Sequence, residues 1–192
     1  RSYSVTGVQT CALPICRGAQ VTLISGPSAL AQPIGVQFIS VGTAVEMRDA
    51  VMANLERQTV VIKAAAVADY RPADVAPQKI KKKEGPLTIN LVRNPDIISE
   101  IGLKKGNRIL VGFAMESENL IENAKGKLRA KNMDMIIAND LTQEGAGFQT
   151  DTNIIKILDR DGGIEELPIM DKADVANHIL DRIRDLRMKK SH

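Results

Sequence analysis

Apolar residues along this chain follow two rhythms: short unbroken runs, and stripes that recur every three or four positions. The runs at 20–25, 36–41, 59–65, 108–114 and 133–138 are too brief for helices and rich in Val and Ile, and they predict buried strands. Residues 87–92 set Leu, Ile and Leu against Thr, Asn and Val, which predicts another short strand. The stripes predict helices. Thr43 offers an N-cap for 44–57, where Val45, Met47, Val51, Met52 and Leu55 make an apolar face. Pro95 stands near the first position of a helix ending at about Lys104. Leu120, Ile121, Ala124 and Leu128 line one side of 118–131, and Val175, Ile179, Leu180, Ile183 and Leu186 one side of 172–187. Asp161-Gly162-Gly163, between strands at 153–158 and 164–169, is a hairpin signature.

Strands alternating with helices, then a hairpin and a closing helix, predict a three-layer α/β/α domain with a mostly parallel sheet. Residues 72–86 are too rich in Pro and Lys for a core element and read as a long exposed loop, a kind of segment that is usually functional or disordered. Residues 139–150 form a second polar loop, and no internal repeat or second domain is visible.

Composition narrows the classes. A chain of 192 residues can bury one real core, and 44% hydrophobic with 26% charged residues is ordinary for a globular protein. No apolar stretch approaches the roughly 18–20 residues that span a bilayer. The net charge of +3 does not demand a polynucleotide partner, and 3% aromatic residues argue against a base-stacking platform. Two His and two Cys cannot build a closed zinc site. With both cysteines, Cys11 and Cys16, confined to the first sixteen residues, the expected compartment is the cytoplasm.

Residues 5–15 (VTGVQTCALPI) read as the in-frame translation of a sequencing-library adaptor, with 1–4 compatible with the adjoining bases and Cys16 with a junction codon. Residues 1–16 are therefore set apart as non-native, 17–188 as the domain and 189–192 as a tail. Arg17-Gly18-Ala19 resembles the last turn and glycine cap of a helix, so the chain is expected to be a fragment.

Ligands of open α/β sheets sit beyond the carboxyl ends of the strands. Unusual residues gather there, at 64–69, 113–116 and 139–140. Small alanines, Ala64 and Ala65, leave room for a ligand to approach the backbone, and Asp69 follows as either a surface acid or one that handles a metal or phosphate. Lys79, Lys81, Lys82 and Lys83 read either as a solvated run or as a lid over phosphates. The helix start at 94–98 offers N–H groups to an anion, or is a plain cap. Lys127 and Lys131 project from one helix face, as many solvated pairs do. Phe113 is core unless its strand ends there. Gly145-Ala146-Gly147 lacks the third glycine of a dinucleotide fingerprint and reads as a turn, and neither His178 nor His192 has a nucleophile nearby in sequence.

Taken together, AAAVADYRP (64–72), VAPQKIKK (75–82), NPDI (94–97), VGFA (111–114), KNMDMIIAND (131–140) and GFQTDTN (147–153) resemble the phosphopantothenate–cysteine ligase family, the synthetase portion of the bacterial bifunctional coenzyme A biosynthesis protein. The resemblance runs from Arg17 to about Leu186 in unbroken order. It implies a Rossmann-like sheet and a two-step amide synthesis. The carboxylate of 4'-phosphopantothenate attacks the α-phosphate of CTP, giving an acyl-cytidylate and pyrophosphate, and the amine of L-cysteine then displaces CMP. It further implies Mg2+ with CTP, and nucleotide contacts from Lys63, Ala64, Ala65, Asp69, Lys79, Pro95, Asp96, Ile97, Ile98, Phe113, Lys127 and Lys131. Lys79 would act catalytically from the lid, and a homodimer is implied.

The family opens with a strand, a glycine-rich loop and a segment carrying the asparagine that handles the acyl-cytidylate. That region has no counterpart here, nor does the FMN-dependent decarboxylase half. An unpaired sheet centre is expected to impair the fragment. Two other classes fit the residues less well. An NAD(P)-dependent oxidoreductase would need a glycine fingerprint, and a nucleic-acid-binding module would rest on the lysine run alone.

Overall fold

Residues 12–81, 85, 87–116, 118–140, 152–153 and 155–190 are described in the computed structural model. Helix α1 (Leu13–Cys16) is a single turn with Pro14 at its start. It ends where Gly18 turns to φ +81°, with Gly18 N–H donating to Ile15 O (2.8 Å) and Ala19 N–H to Pro14 O (3.0 Å). These paired bonds are a Schellman cap, the helix end expected at 17–19. Residues 13–15, set apart above, take part in this turn.

Strands β1 (Thr22–Ser25) and β2 (Gln37–Ser40) follow, paired in parallel. Helix α2 (Ala44–Asn54) is capped by Thr43, whose Oγ1 accepts the Glu46 N–H at 3.1 Å, and it tightens into a 3-10 turn over Leu55–Arg57. Strand β3 (Val60–Lys63) then enters the main sheet. Strands β4 (Tyr70–Pro72) and β5 (Leu91–Arg93) pair antiparallel, outside that sheet. The remaining elements are α3 (Ile97–Leu103), β6 (Ile109–Glu116), α4 (Leu120–Ala130), β7 (Met135–Asp140), β8 (Thr152–Asn153), β9 (Ile155–Asp159), β10 (Ile164–Glu166), β11 (Met170–Asp171) and α5 (Lys172–Lys190).

The main sheet has the order β10-β9-β7-β6-β3, parallel from β3 to β7 and antiparallel through the terminal hairpin. Period-two alternation sorts its side chains onto two faces. Leu110, Ala114, Ile136 and Ala138 meet the turn after α2 and helices α3 and α4 through Leu55, Ile97, Ile101 and Leu128. Ile109, Val111, Met135 and Ile137 meet α5 through Val175, Ile179 and Ile183. The three layers expected from the sequence are present, with the C-terminal hairpin at one edge and α5 closing the fold.

Several boundaries differ from the periodicity. Strands β1 and β2 form a sheet of their own instead of joining the others. A short strand not expected from the sequence, Tyr70–Pro72, reaches the first residue of the expected loop and pairs with β5, and the strand expected at 87–92 contracts to Leu91–Arg93 because only that stretch meets a partner. Leu87 (66%) and Ile89 (60%) are left exposed, so their alternation reflects no buried face. The strand expected to stop at Ala114 runs on to Glu116, since Met115 and Glu116 still pair with β7. Lys189 and Lys190, assigned to a tail, belong to α5. Lys190 reaches back to Asp134 (2.9 Å) and to Arg108 O (3.2 Å), which holds the last turn in register.

Candidate functional site

The carboxyl end of β3 and the start of α3 are drawn together by a missing side chain. Gly112 of β6 lies beside Lys63 in the register, and a Cβ on Gly112 would collide with Met133 Sδ and approach Ile98 Cδ1 to 2.8 Å. Only glycine lets the first turn of α3 settle so close to the sheet. Asp96 caps that turn by accepting the Ser99 N–H at 3.2 Å. Its other oxygen, Oδ2, accepts from Lys131 Nζ at 3.0 Å. Burial alone would raise the Asp96 carboxyl, but the hydrogen bonds from Lys131 and Ser99 outweigh it and hold it below the usual carboxylate range.

Lys131 follows the last residue of α4, and its amine reaches Asp96 from there because the two helices touch. A Cβ on Gly102, in the last turn of α3, would run into the Lys131 carbonyl. Asn132 then takes φ +51° and ends α4, with its N–H donating to Arg129 O (3.2 Å) and Met133 N–H to Leu128 O (3.0 Å). Its side chain donates to Gly102 O at 2.9 Å. Asn132 therefore fastens α4 to α3 and fixes where Lys131 begins. Lys63 completes the group. Its amine is pushed below the ordinary lysine value, first by burial and then by the positive charge of Lys131, with Asp96 and Asp69 acting in the opposite sense. Two cations and two carboxylates thus act on one another at the end of β3.

Of the other expected site residues, Ala64 and Ala65 are exposed and line, with Lys63, the mouth of a cavity between β3 and β1. Asp69 is exposed, and its carbonyl accepts the Asn94 N–H at 2.8 Å. Pro95 precedes the cap. Ile97 and Ile98 are buried core residues at 3% and 6% exposure, so only their backbone is available to a ligand. Lys127 lies one turn before Lys131 on α4, exposed. Lys79 is exposed in the segment after β4. Phe113 is not brought to the group. Its strand continues past it, and the ring packs with the α5-side core, on the face opposite Ile98 and Leu128. Lys82, Lys83, His192 and the segment 145–147 lie outside the described residues.

Asn94, expected at a helix start, also ties two loops. Its Nδ2 donates to Ala68 O (2.8 Å) and its Oδ1 accepts from Arg71 (3.1 Å), whose Nη1 also donates to Arg93 O (2.7 Å). Asn next to Pro, followed by a capping Asp, was the available signal, but it does not say that the amide reaches back twenty-six positions to Ala68. Among the described residues no group of three or more His, Cys, Asp or Glu is placed to hold a metal. A magnesium ion carried by polyphosphate needs only one or two protein carboxylates, and Asp69 beside this group fits that role.

Comparison with protein families decides the lineage. The family model for the DNA/pantothenate metabolism flavoprotein C-terminal domain matches residues 1–186. This chain belongs to that family. Within it, the chain is 49% identical over 170 residues to the coenzyme A biosynthesis bifunctional protein CoaBC of Bacillus subtilis, covering 88% of this chain and 42% of that protein. It is 44% identical over 171 residues to CoaBC of Escherichia coli, covering 87% and 42% respectively. The crystal structure of the C-terminal domain of CoaBC superposes with a TM-score of 0.76 at 40% identity, over 91% of this chain and 80% of that one. The flavoprotein C-terminal domain fold is thus shared, Rossmann-like sheet included, and the chain spans less than half the length of its full-length relatives.

Proposed function

We propose that this chain is the nucleotide-handling part of a phosphopantothenate–cysteine ligase, which joins 4'-phosphopantothenate to L-cysteine with CTP through an acyl-cytidylate. The observation that carries this reading is the group at the end of β3, where Lys63, Lys131 and Asp96 stand on three different elements held together by Gly112 and Gly102. The position is where an open parallel sheet receives a nucleotide. Membership of the family and the named relatives support the substrate class.

A carboxylate is a poor acylating agent until its oxygen carries a good leaving group, and a tetra-anionic triphosphate repels an attacking carboxylate. Lys63 and Lys131 supply fixed positive charge against that repulsion. Asp96, holding Lys131 and the Ser99 N–H, orients the lysine and does not act as a base, because its carboxyl is held well ionised. Ala64 and Ala65 leave the backbone open to the nucleotide. Mg2+ arriving with CTP would neutralise phosphate charge, with Asp69 as its protein carboxylate. Lys79 acts from the exposed segment after β4 as a mobile cation that closes over the acyl phosphate and excludes water.

A homodimer is part of the proposal. The arm between β4 and β5 exposes Val75 (87%), Leu87 (66%), Ile80 (60%) and Ile89 (60%), and Leu91 (58%), the first residue of β5, extends them into an apolar surface suited to a second subunit.

The test is Lys79→Gln in the longer protein. The variant is expected to fold as before, since an exposed lysine contributes within about 0.5 kcal/mol, while CTP-dependent formation of the cysteine amide drops at least about tenfold. Unchanged turnover would remove Lys79 from the mechanism, and amide formation without a nucleotide would sink the ligase reading.

A further inference from the structure

A second cavity, of about 320 Å³, opens at the foot of the sheet, where β6 and β7 begin and away from the Lys63 end. Four segments meet around it: the turn from α3 into β6, the turn from α4 into β7, the hairpin between β9 and β10, and the end of α5. Each of them brings charge. Lys105, Arg160, Lys189 and Lys190 line the cavity against Asp134 and Asp161, which leaves an excess of two positive charges. A concave surface lined mainly by one sign of charge concentrates ions of the other.

Asp134 gathers the lysines. It is buried, and its Oδ1 accepts from Lys105 Nζ and from Lys190 Nζ, each at 2.9 Å, while its Oδ2 accepts the Leu110 N–H at 2.7 Å. One carboxylate balances one of the two lysines and leaves the charge of the other standing. Asn132 adds a third cation. Its carbonyl accepts from Lys105 Nζ at 3.0 Å, and its Oδ1 accepts from Arg160 Nη1 at 2.9 Å. The crowding of positive charge is felt at Lys105. Burial pushes its amine below the ordinary lysine value, Asp134 acts against that, and the charges of Lys190 and Arg160 add to the lowering.

These bonds do not exhaust the donors. An ammonium carries three N–H groups and a guanidinium five. Lys105 spends two, on Asp134 and Asn132, and Lys190 spends two, on Asp134 and on Arg108 O at 3.2 Å. At 4% exposure Lys105 has little access to bulk water, so the cavity it lines is where its third N–H is met. Arg160 forms no ion pair among the described residues, and its Nε and Nη2 donate to none of them. Those two nitrogens make one side of the guanidinium fork, the side that grips two oxygens at once. Lys189 and Asp161 stand 4.0 Å apart and are both largely exposed, a weak pair that a better partner for the lysine displaces.

We infer that this cavity is a binding site for a phosphate group, carried by inorganic phosphate, by pyrophosphate or by a phosphomonoester. Arg160 takes two of its oxygens through Nε and Nη2, Lys105 meets it from the buried side, and Lys189 and Lys190 meet it from α5. A dianion matches the excess charge. Tetrahedral oxygens also accept from donors on several sides, whereas a carboxylate offers two oxygens in one plane. The volume exceeds that of a bare phosphate and leaves room for the rest of a small ester. The site lies at the opposite end of the sheet from Lys63, and it stands whether or not the ligase reading does.

The test is a titration of the nitrogen-15-labelled chain with inorganic phosphate, pyrophosphate and glycerol phosphate, at an ionic strength held constant with chloride. Saturable shifts are expected at the amides of Gly106, Asn132 and Arg160 and at the Arg160 Nε–H, while Ala64 reports separately on the group at the end of β3. Arg160→Gln is expected to weaken the binding by about tenfold or more. Lys189→Gln, which leaves the bond between Arg160 and Asn132 intact, should weaken it as well. Tighter binding of glycerol phosphate than of inorganic phosphate assigns the site to an ester, and the reverse order assigns it to the free anion. The proposal is overturned if all three anions move these signals no further than chloride does, or if only Ala64 responds. It is equally overturned if neither variant binds more weakly than the parent chain.

Discussion

The Lys131 ammonium stands 3.0 Å from Asp96 Oδ2, so the residue that closes α4 grips the residue that opens α3. The pair is partly exposed, at 29% and 51%, and its bearing is on position and charge more than on stability. Lys131→Met is expected to lower stability by less than about 1 kcal/mol. It should raise the Asp96 carboxyl, which loses a hydrogen bond, and raise the Lys63 amine, which loses a repelling neighbour. NMR titration of the two side chains checks both directions, and a Lys63 amine that does not move would separate it from Lys131.

Lys63 itself gives a pH signature. Its folded value is lowered from the ordinary 10.5, so between the two values the unfolded chain holds more protons. Stability from this residue therefore rises as pH climbs through that interval. Adding CTP with Mg2+ should shift the Lys63 amine upward, since a phosphate favours the charged form. Carbon-13 NMR of labelled lysine reads the change, and a signal indifferent to nucleotide would place CTP elsewhere.

At the opposite end of the sheet, Asp134 is buried at 4% exposure and accepts from Leu110 N–H (2.7 Å), Lys105 (2.9 Å) and Lys190 (2.9 Å). Burial would raise its carboxyl, but the Leu110 N–H and the two lysines outweigh it and hold it below the ordinary 3.8. Its stabilisation is complete above that value and is lost as pH falls through 3.8 toward the lower folded value. Asp134→Asn should cost about 3–5 kcal/mol near neutrality, because buried Lys105 is left without its counter-charge. The variant should also lose the wild-type acid-side slope in a urea series run from pH 7 downward.

Two glycines in neighbouring helices should respond in opposite ways. Gly102→Ala puts a methyl group into the Lys131 carbonyl and is expected to destabilise by about 1–3 kcal/mol. Gly126→Ala, in α4 with nothing near its missing Cβ, should stabilise by about 0.5–1 kcal/mol. Urea midpoints measured side by side check the pair, and equal shifts would contradict the close contact of α3 with α4.

Strands and helices were legible because burial leaves its mark in the chain, an unbroken apolar run in β6, covered on both faces, and a period of three to four in α4 and α5, and the hairpin was legible from its Asp161-Gly162-Gly163 turn. The Thr43 cap and the helix end at Gly18 were equally local, each set by one residue and its neighbours. Lys63 and Asp96 could be singled out as types at strand and helix ends, but nothing local says that they meet Lys131. That meeting depends on absent side chains at Gly102 and Gly112, contacts between elements far apart in sequence. The same limit explains Phe113: alternation puts it on the α5 face with Ile109 and Val111, but that β6 continues past it to Glu116 depends on pairing with β7, which the apolar run does not show. It explains β1 and β2 as well. Their apolar runs predict strands, but whether two edges pair depends on what stands between them, and here a cavity does. Periodicity is a property of one segment and its own burial. Pairing, proximity and the charge felt by Lys63 belong to segments brought together, and only the tertiary structure decides those.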